Sequence, residues 1–209
     1  MEIQYFGADC LTLTTKKSRI VIDDNLTRLG VKSVTKPDDI VLSTSSIIGC
    51  QSHSPKIFID GPGEYEVSGI SIYGIPARAH MDEAGNKSAT MYKVLIDDIN
   101  VLVVGHVYPA LTDNQLEQVG LVDVMIVPVG GNGYTLDGVG AIKLIKAVEP
   151  KIVVPVHYAD DELAYEVPQQ QLESALKSMS MEPAETTNKL KLKSVDVGDV
   201  LKIVVLQRV

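Results

Sequence analysis

Cysteine is scarce in this chain. Its 209 residues include two, Cys10 and Cys50, far apart and in no metal-binding or redox spacing. No disulfide framework or Cys-x-x-Cys motif can be built from them, and reduced thiols in a cytoplasmic protein are expected. A basic cluster is equally lacking: 19 Lys and Arg stand against 27 Asp and Glu, a net charge of -8. Scattered cations on an acidic chain repel phosphate backbones, so no nucleic acid is expected as a partner. The densest basic stretch, Lys189 to Lys193, alternates Lys with Leu and reads as a half-exposed strand. Long apolar runs are missing too, and Met1-Glu-Ile-Gln-Tyr-Phe-Gly7 has neither the basic nor the apolar region of a signal peptide. Neither membrane insertion nor export is expected.

What is present suffices for a core. Hydrophobic residues make up 45% of a chain long enough for one large domain or two small ones. The first half is strand-rich, with period-2 or apolar runs at residues 2 to 6, 10 to 15, 18 to 23, 56 to 59, 69 to 75, 90 to 96 and 100 to 104. Asp23-Asp24-Asn25 closes the third run and reads as a turn. The second half is mixed. Thr112-Asp-Asn-Gln115 matches a capping box before a short helix, and 137 to 148 carries Val139, Ile142, Leu144, Ile145 and Val148 at helical spacing. A third helix is expected to start at Pro168, with Leu172, Ala175, Leu176 and Met179 on one face. Strands are expected at 122 to 127, 151 to 158 and 200 to 206.

The run Lys151-Ile-Val-Val-Pro-Val-His-Tyr158 reads as a strand buried on both faces and ending in a histidine. Ligand-binding loops collect at strand ends in layered α/β folds. Of four histidines, His80, His106 and His157 lie just beyond expected strand ends, and imidazole is the commonest transition-metal ligand. The turn Gly130-Gly-Asn-Gly133 could bring backbone N–H groups to an anion at a helix N-terminus, although glycine supplying turn dihedrals is the simpler reading. Neither a dinucleotide fingerprint nor a P-loop is present.

The sequence resembles the metallo-β-lactamase fold over almost its whole length, in particular a small bacterial zinc-hydrolase-like branch related to ascorbate-phosphate lactonases. The carriers are Tyr5-Phe-Gly-Ala-Asp-Cys10, Gly61-Pro-Gly-Glu-Tyr-Glu-Val67, Leu111-Thr-Asp-Asn-Gln115, Pro128-Val-Gly-Gly131, Tyr134-Thr-Leu-Asp137 and Glu149-Pro-Lys-Ile-Val-Val-Pro-Val-His-Tyr158. The resemblance implies a single domain, 1–209, of α/β (α+β) class: a four-layer αββα sandwich with a metal site at one edge between the sheets.

The family's ligand pattern is largely replaced. Its His-x-His-x-Asp-His motif falls on Ser45, Ile47, Gly49 and Cys50, its opening-motif His falls on Ala8, and its Gly-Asp is Gly105-His106. Only His80 and His157 match family ligand positions in residue type. Two readings follow from the resemblance. In the first, the scaffold has lost hydrolysis, takes no cofactor, and binds a small-molecule ligand or assembles with itself, as a homo-oligomer, or with another protein. In the second, a rebuilt mononuclear zinc site uses His80, His106 and His157, with Cys50 or water in the fourth position, and hydrolyses a small ester, lactone or phosphorylated metabolite.

Overall fold

A computed structural model describes residues 1–45 and 54–209. Two sheets lie face to face. The first, six-stranded, comprises β1 (Glu2–Gly7), β2 (Cys10–Thr14), β3 (Arg19–Ile22), β4 (Ile40–Leu42), β5 (Ile57–Ile59) and the two-residue β13 (Leu190–Lys191), in the order β13-β1-β2-β3-β4-β5. The second, eight-stranded, comprises β6 (Gly63–Val67), β7 (Ile70–Ala77), β8 (Ala89–Ile96), β9 (Ile99–Val103), β10 (Val124–Pro128), β11 (Ile152–Val156), β12 (Pro183–Thr187) and β14 (Lys202–Leu206), in the order β12-β14-β11-β10-β9-β8-β7-β6. Among the described residues, helices α1 (Asp113–Val119), α2 (Gly138–Val148) and α3 (Leu172–Met179) complete the regular structure, together with two short 3₁₀ turns. None of the helices among the described residues is long and apolar enough to cross a membrane.

Side-chain alternation builds the layers. Leu11, Leu13, Ile20, Ile22, Ile40 and Leu42 point from the first sheet into one core with Val101, Val103, Val124, Ile126, Ile152, Val154, Val204 and Leu206 of the second. Their in-between neighbours face outward. Leu102, Met125, Val153, Ile203 and Val205 pack under Ala141, Leu144 and Ile145 of α2 and Ala175, Leu176 and Met179 of α3. On the other outer face, Cys10, Val21 and Val41 meet Leu26, with Val31 and Val34 beside them. That outer layer is a 3₁₀ turn, Leu26–Leu29, followed by extended chain, and Asp24 secures it: its Oδ2 accepts from Ser33 Oγ, Val34 N, Thr35 N and Thr35 Oγ1 at 2.6 to 2.9 Å. The expected four-layer αββα sandwich is therefore the observed architecture, with a 3₁₀ turn and extended chain as the layer outside the first sheet.

The details depart from expectation in four places. Strand β12, Pro-Ala-Glu-Thr-Thr, is an exposed edge strand that polarity hides from a hydrophobicity-based reading. Helix α3 starts at Leu172, not Pro168, because the intervening residues run extended: Gln170 N donates to Gly130 O and Ala159 N donates to Gln170 O. Val139 of α2 is 49% exposed, the buried stripe falling on Ala141, Leu144 and Ile145. The Gly130 to Gly133 turn is not at a helix N-terminus either; α2 begins later, capped by Asp137 accepting from Gly140 N. Pro155, by contrast, interrupts nothing. Val156 O accepts from Val129 N on the β10 side, so alternation turns the Pro155 nitrogen toward β14, whose ladder has ended at Val153↔Ile203.

Hydrogen bonds tie the sheets together at the edge reached by the carboxyl ends of β4, β9 and β11, and two of these joints bear on the site. At one, Thr44 O accepts from Thr90 N at 2.8 Å, while Thr44 N and Oγ1 both donate to the Asp23 carboxylate at 2.7 Å. Gly105 sits against that threonine with φ +66°, and a Cβ there would lie 2.6 Å from Thr44 Cβ. At the other joint, His157 N donates to Ala8 O at 2.8 Å.

Gly105→Ala should therefore cost about 2–4 kcal/mol in urea unfolding, from backbone strain plus the Thr44 collision; a loss below about 0.5 kcal/mol would mean that Thr44 gives way without cost. Asp23 generates a second expectation. Burial first, and the neighbouring Asp9 charge second, push its carboxyl up to about 8. Because the folded value lies above the unfolded one, the native state keeps a proton that the unfolded chain has released, and this group's contribution to stability falls as pH rises between the two values. In chelator-treated protein, the stability of Asp23→Asn relative to the natural chain should grow from about pH 5 to about pH 9, whereas a constant difference would place the carboxyl in its ordinary range.

Candidate metal centre

Three side chains from separate parts of the sequence converge at this edge. Asp9 lies in the β1–β2 turn, His106 follows β9 and Gly105, and His157 follows β11. One ligand atom from each lies within 4.8 Å of the others. His106 Nδ1 is 3.1 Å and His157 Nε2 is 3.9 Å from Asp9 Oδ2, and the two imidazole Nε2 atoms are 3.2 Å apart. Asp9 and His157 are buried and His106 partly so.

Local backbone geometry puts them there. Ala8 and His157 both adopt left-handed conformations, φ +50° and +56°, that L-residues seldom take. The His157 N–H bond to Ala8 O holds both, supported by Tyr5 Oη at 3.3 Å from the same nitrogen. The turn thus aims Asp9 inward. On the far side of the ring, His157 Nδ1 lies 3.1 Å from Gln169 Oε1. The rings of His106 and His157 stand edge to face at 4.7 Å, and Tyr134 makes a similar contact with His106 at 5.8 Å.

The electrostatics suit a cation. Both Asp9 oxygens are buried without a hydrogen-bond partner, an expensive condition for a carboxylate. Enclosure pushes His106 down to about 4, against the opposing pull of Asp9, with His157 and His80 lowering it further. A ring held neutral is one that can donate a lone pair. Ligand atoms around a tetrahedral zinc ion lie about 3.3–3.6 Å apart, given bonds of about 2.0–2.2 Å. The 3.1 Å and 3.2 Å contacts are made by different nitrogens of His106, of which a single ion takes one; with one atom from each residue inside 4.8 Å and an orphaned carboxylate beside them, two nitrogens and one oxygen form a zinc-compatible donor set.

Beside the cluster opens a cavity of about 380 Å³ lined by Leu29, Ser45, His80, Met81, Tyr134, Tyr165 and Val167, among others. Of the residues singled out from the sequence, His106 and His157 meet within the cluster. His80 lines the cavity but is not in the three-residue group; its backbone N–H donates to His106 O at 2.7 Å, and its Nδ1 is buried without a partner. Cys50 lies outside the described residues, as do Ile47 and Gly49. Cys10 is buried and free, its thiol pushed up by burial. Asp9 is the residue that sequence reasoning missed. Gly7-Ala8-Asp9 between two strands has the composition of a turn, and the one available pointer was its place directly after the Ala8 that stands for the family's opening histidine.

Known proteins corroborate the architecture. A UPF0173 metal-dependent hydrolase from Thermoplasma acidophilum is 26% identical over 191 residues, covering 76% of this chain and 83% of that one. Another from Pyrococcus horikoshii is 32% identical over 102 residues, 46% of this chain; the match spans 44% of that relative's length. Among solved structures, a metallo-β-lactamase superfamily protein from Thermotoga maritima superposes with a TM-score of 0.75 at 25% identity, covering 99% of this chain and 98% of that one. A metallo hydrolase from Ignicoccus hospitalis shares the fold alone, with a TM-score of 0.62 at 16% identity over 99% of this chain and 94% of its own. The family profile described as the beta-lactamase superfamily domain matches residues 2–157, from the first strand through His157. On that match and the four-layer fold, this chain belongs to the metallo-β-lactamase superfamily.

Proposed function

We propose that the protein is a metal-dependent hydrolase of a small ester, lactone or phosphorylated metabolite, working from one mononuclear site held by Asp9, His106 and His157. The observation that carries this reading is the buried Asp9 carboxylate, left without a hydrogen-bond partner beside two imidazoles. It favours the rebuilt site over a scaffold that has lost hydrolysis, and the relatives named as metal-dependent hydrolases point the same way. A bound zinc ion supplies a Lewis acid and lowers the pKa of bound water toward about 7.

The chain's own groups do the rest. Asp9 contributes the negative charge that makes the site attractive to a divalent ion, and His106, held neutral, offers a lone pair at ordinary pH. Leu29, Met81, Tyr134, Tyr165 and Val167 give the neighbouring cavity apolar wall, and Arg28, Asp82 and Glu166 line it too, a mixture that suits a compact substrate carrying a polar group. His80 lines the same cavity and is the further ring available there for proton transfer to a leaving oxygen.

Protein purified without added metal and then equilibrated with zinc should bind close to one equivalent, and Asp9→Ala or His157→Ala should reduce this to background. A panel of p-nitrophenyl esters, simple lactones and phosphate monoesters should show turnover that chelation removes and zinc restores, at least about 100-fold weaker in Asp9→Ala. Absence of bound metal after zinc equilibration, in protein whose thermal unfolding is cooperative, would sink the rebuilt site.

A further inference from the structure

Gln169 touches the cluster only through the far side of the His157 ring, and its amide orientation is determined. Its Nε2 donates to Val167 O at 2.6 Å, and a carbonyl only accepts, so the amide end facing Val167 must be NH₂. The other end, Oε1, therefore faces His157 Nδ1 at 3.1 Å. Oε1 only accepts, so the proton of a neutral His157 ring sits on Nδ1 and Nε2 is bare.

The surrounding chain is arranged for this contact. Gly130 leaves the space: a Cβ there would lie 2.1 Å from Gln169 Oε1 and 2.3 Å from His157 O. The next residue is pinned on both sides, Gln170 N donating to Gly130 O at 2.6 Å and Gln170 O accepting from Ala159 N at 2.9 Å. This is why the segment after Pro168 is extended and not helical.

In a neutral ring the bare His157 Nε2 faces His106 Nε2 at 3.2 Å and Asp9 Oδ2 at 3.9 Å. A neutral His106 carries one N–H. If that proton is on Nδ1 it lies toward Asp9 Oδ2, 3.1 Å away, without completing a hydrogen bond, and two bare nitrogens then face each other at 3.2 Å. If it is on Nε2 it serves His157, and a bare nitrogen then faces the Asp9 carboxylate. Either arrangement leaves two lone pairs opposed, a conflict relieved by a cation between them.

We propose that Gln169 is a positioning residue that locks His157 in its Nδ1–H tautomer and so presents Nε2 to the Asp9 cluster as a lone-pair donor. The consequence for metal affinity rests on the mononuclear reading above; the tautomer does not. Long-range ¹H–¹⁵N correlation spectra of chelator-treated, ¹⁵N-labelled protein report the tautomer directly, with His157 assigned by its loss in His157→Gln. The natural chain should show the Nδ1–H pattern, Gln169→Leu a mixture of tautomers, and Gln169→Glu, which keeps an acceptor, a return to Nδ1–H. Zinc affinity by chelator competition should fall about 10- to 100-fold in Gln169→Leu and recover most of that in Gln169→Glu. An Nε2–H pattern in the natural chain overturns the proposal, as does Gln169→Leu with tautomer and affinity unchanged. If Gln169→Leu does not fold, the natural chain and Gln169→Glu still decide the tautomer. An Nδ1–H pattern in a protein that binds no zinc supports the positioning role and overturns the metal reading instead.

Discussion

The hydrogen bond from His157 N–H to the Ala8 carbonyl is the constraint on which the site depends. Its net contribution to stability is that of an ordinary hydrogen bond, about 1 kcal/mol; its geometric role is larger. It joins the turn between β1 and β2 of one sheet to the end of β11 in the other, and it holds two residues in left-handed backbone conformations. Strain of that kind persists where surrounding structure over-determines it. Here the surroundings are the Tyr5 hydroxyl, the packed inter-sheet core and the second joint at Thr44. Release the bond and Asp9 and His157 lose their common frame.

Acidic and basic groups at this edge are held in unfavourable company. Asp9 is buried without hydrogen bonds, Asp23 is protonated well above the usual carboxylate range, and His106 is kept neutral well below the usual imidazole range. Each is a local loss of stability that the large apolar core offsets. Such concentrations of perturbed groups mark functional sites more often than structural ones. A cation among them would relieve the Asp9 burden directly, which is why the orphaned carboxylate outweighs the replaced family motif at Ser45 to Cys50.

The layers were legible because strands with one face in the core alternate, as in β7, and strands covered on both faces, such as β10 and β11, are unbroken apolar runs. The polar edge strand β12 escaped because it buries almost nothing. In the site, His106 and His157 could be found as histidines at strand ends. Asp9 could not, since an aspartate after Gly7-Ala8 reads as turn chemistry and its approach to His157 depends on contact between distant strands. Gln169 was hidden by its neighbour: Pro168 suggests a helix start, and only the tertiary bond to Gly130 keeps the segment extended.

The three groups of the cluster come from the first strand pair, the middle of the chain and β11. No contiguous segment holds even two of them, so the partly folded chain carries no half-assembled cation trap that could seize the wrong metal or lock a wrong topology. Closing such distant contacts is slow and comes late in folding. Metal capture would then follow the docking of the two sheets, and once made it would act as a latch on the finished molecule by slowing the sheets' separation.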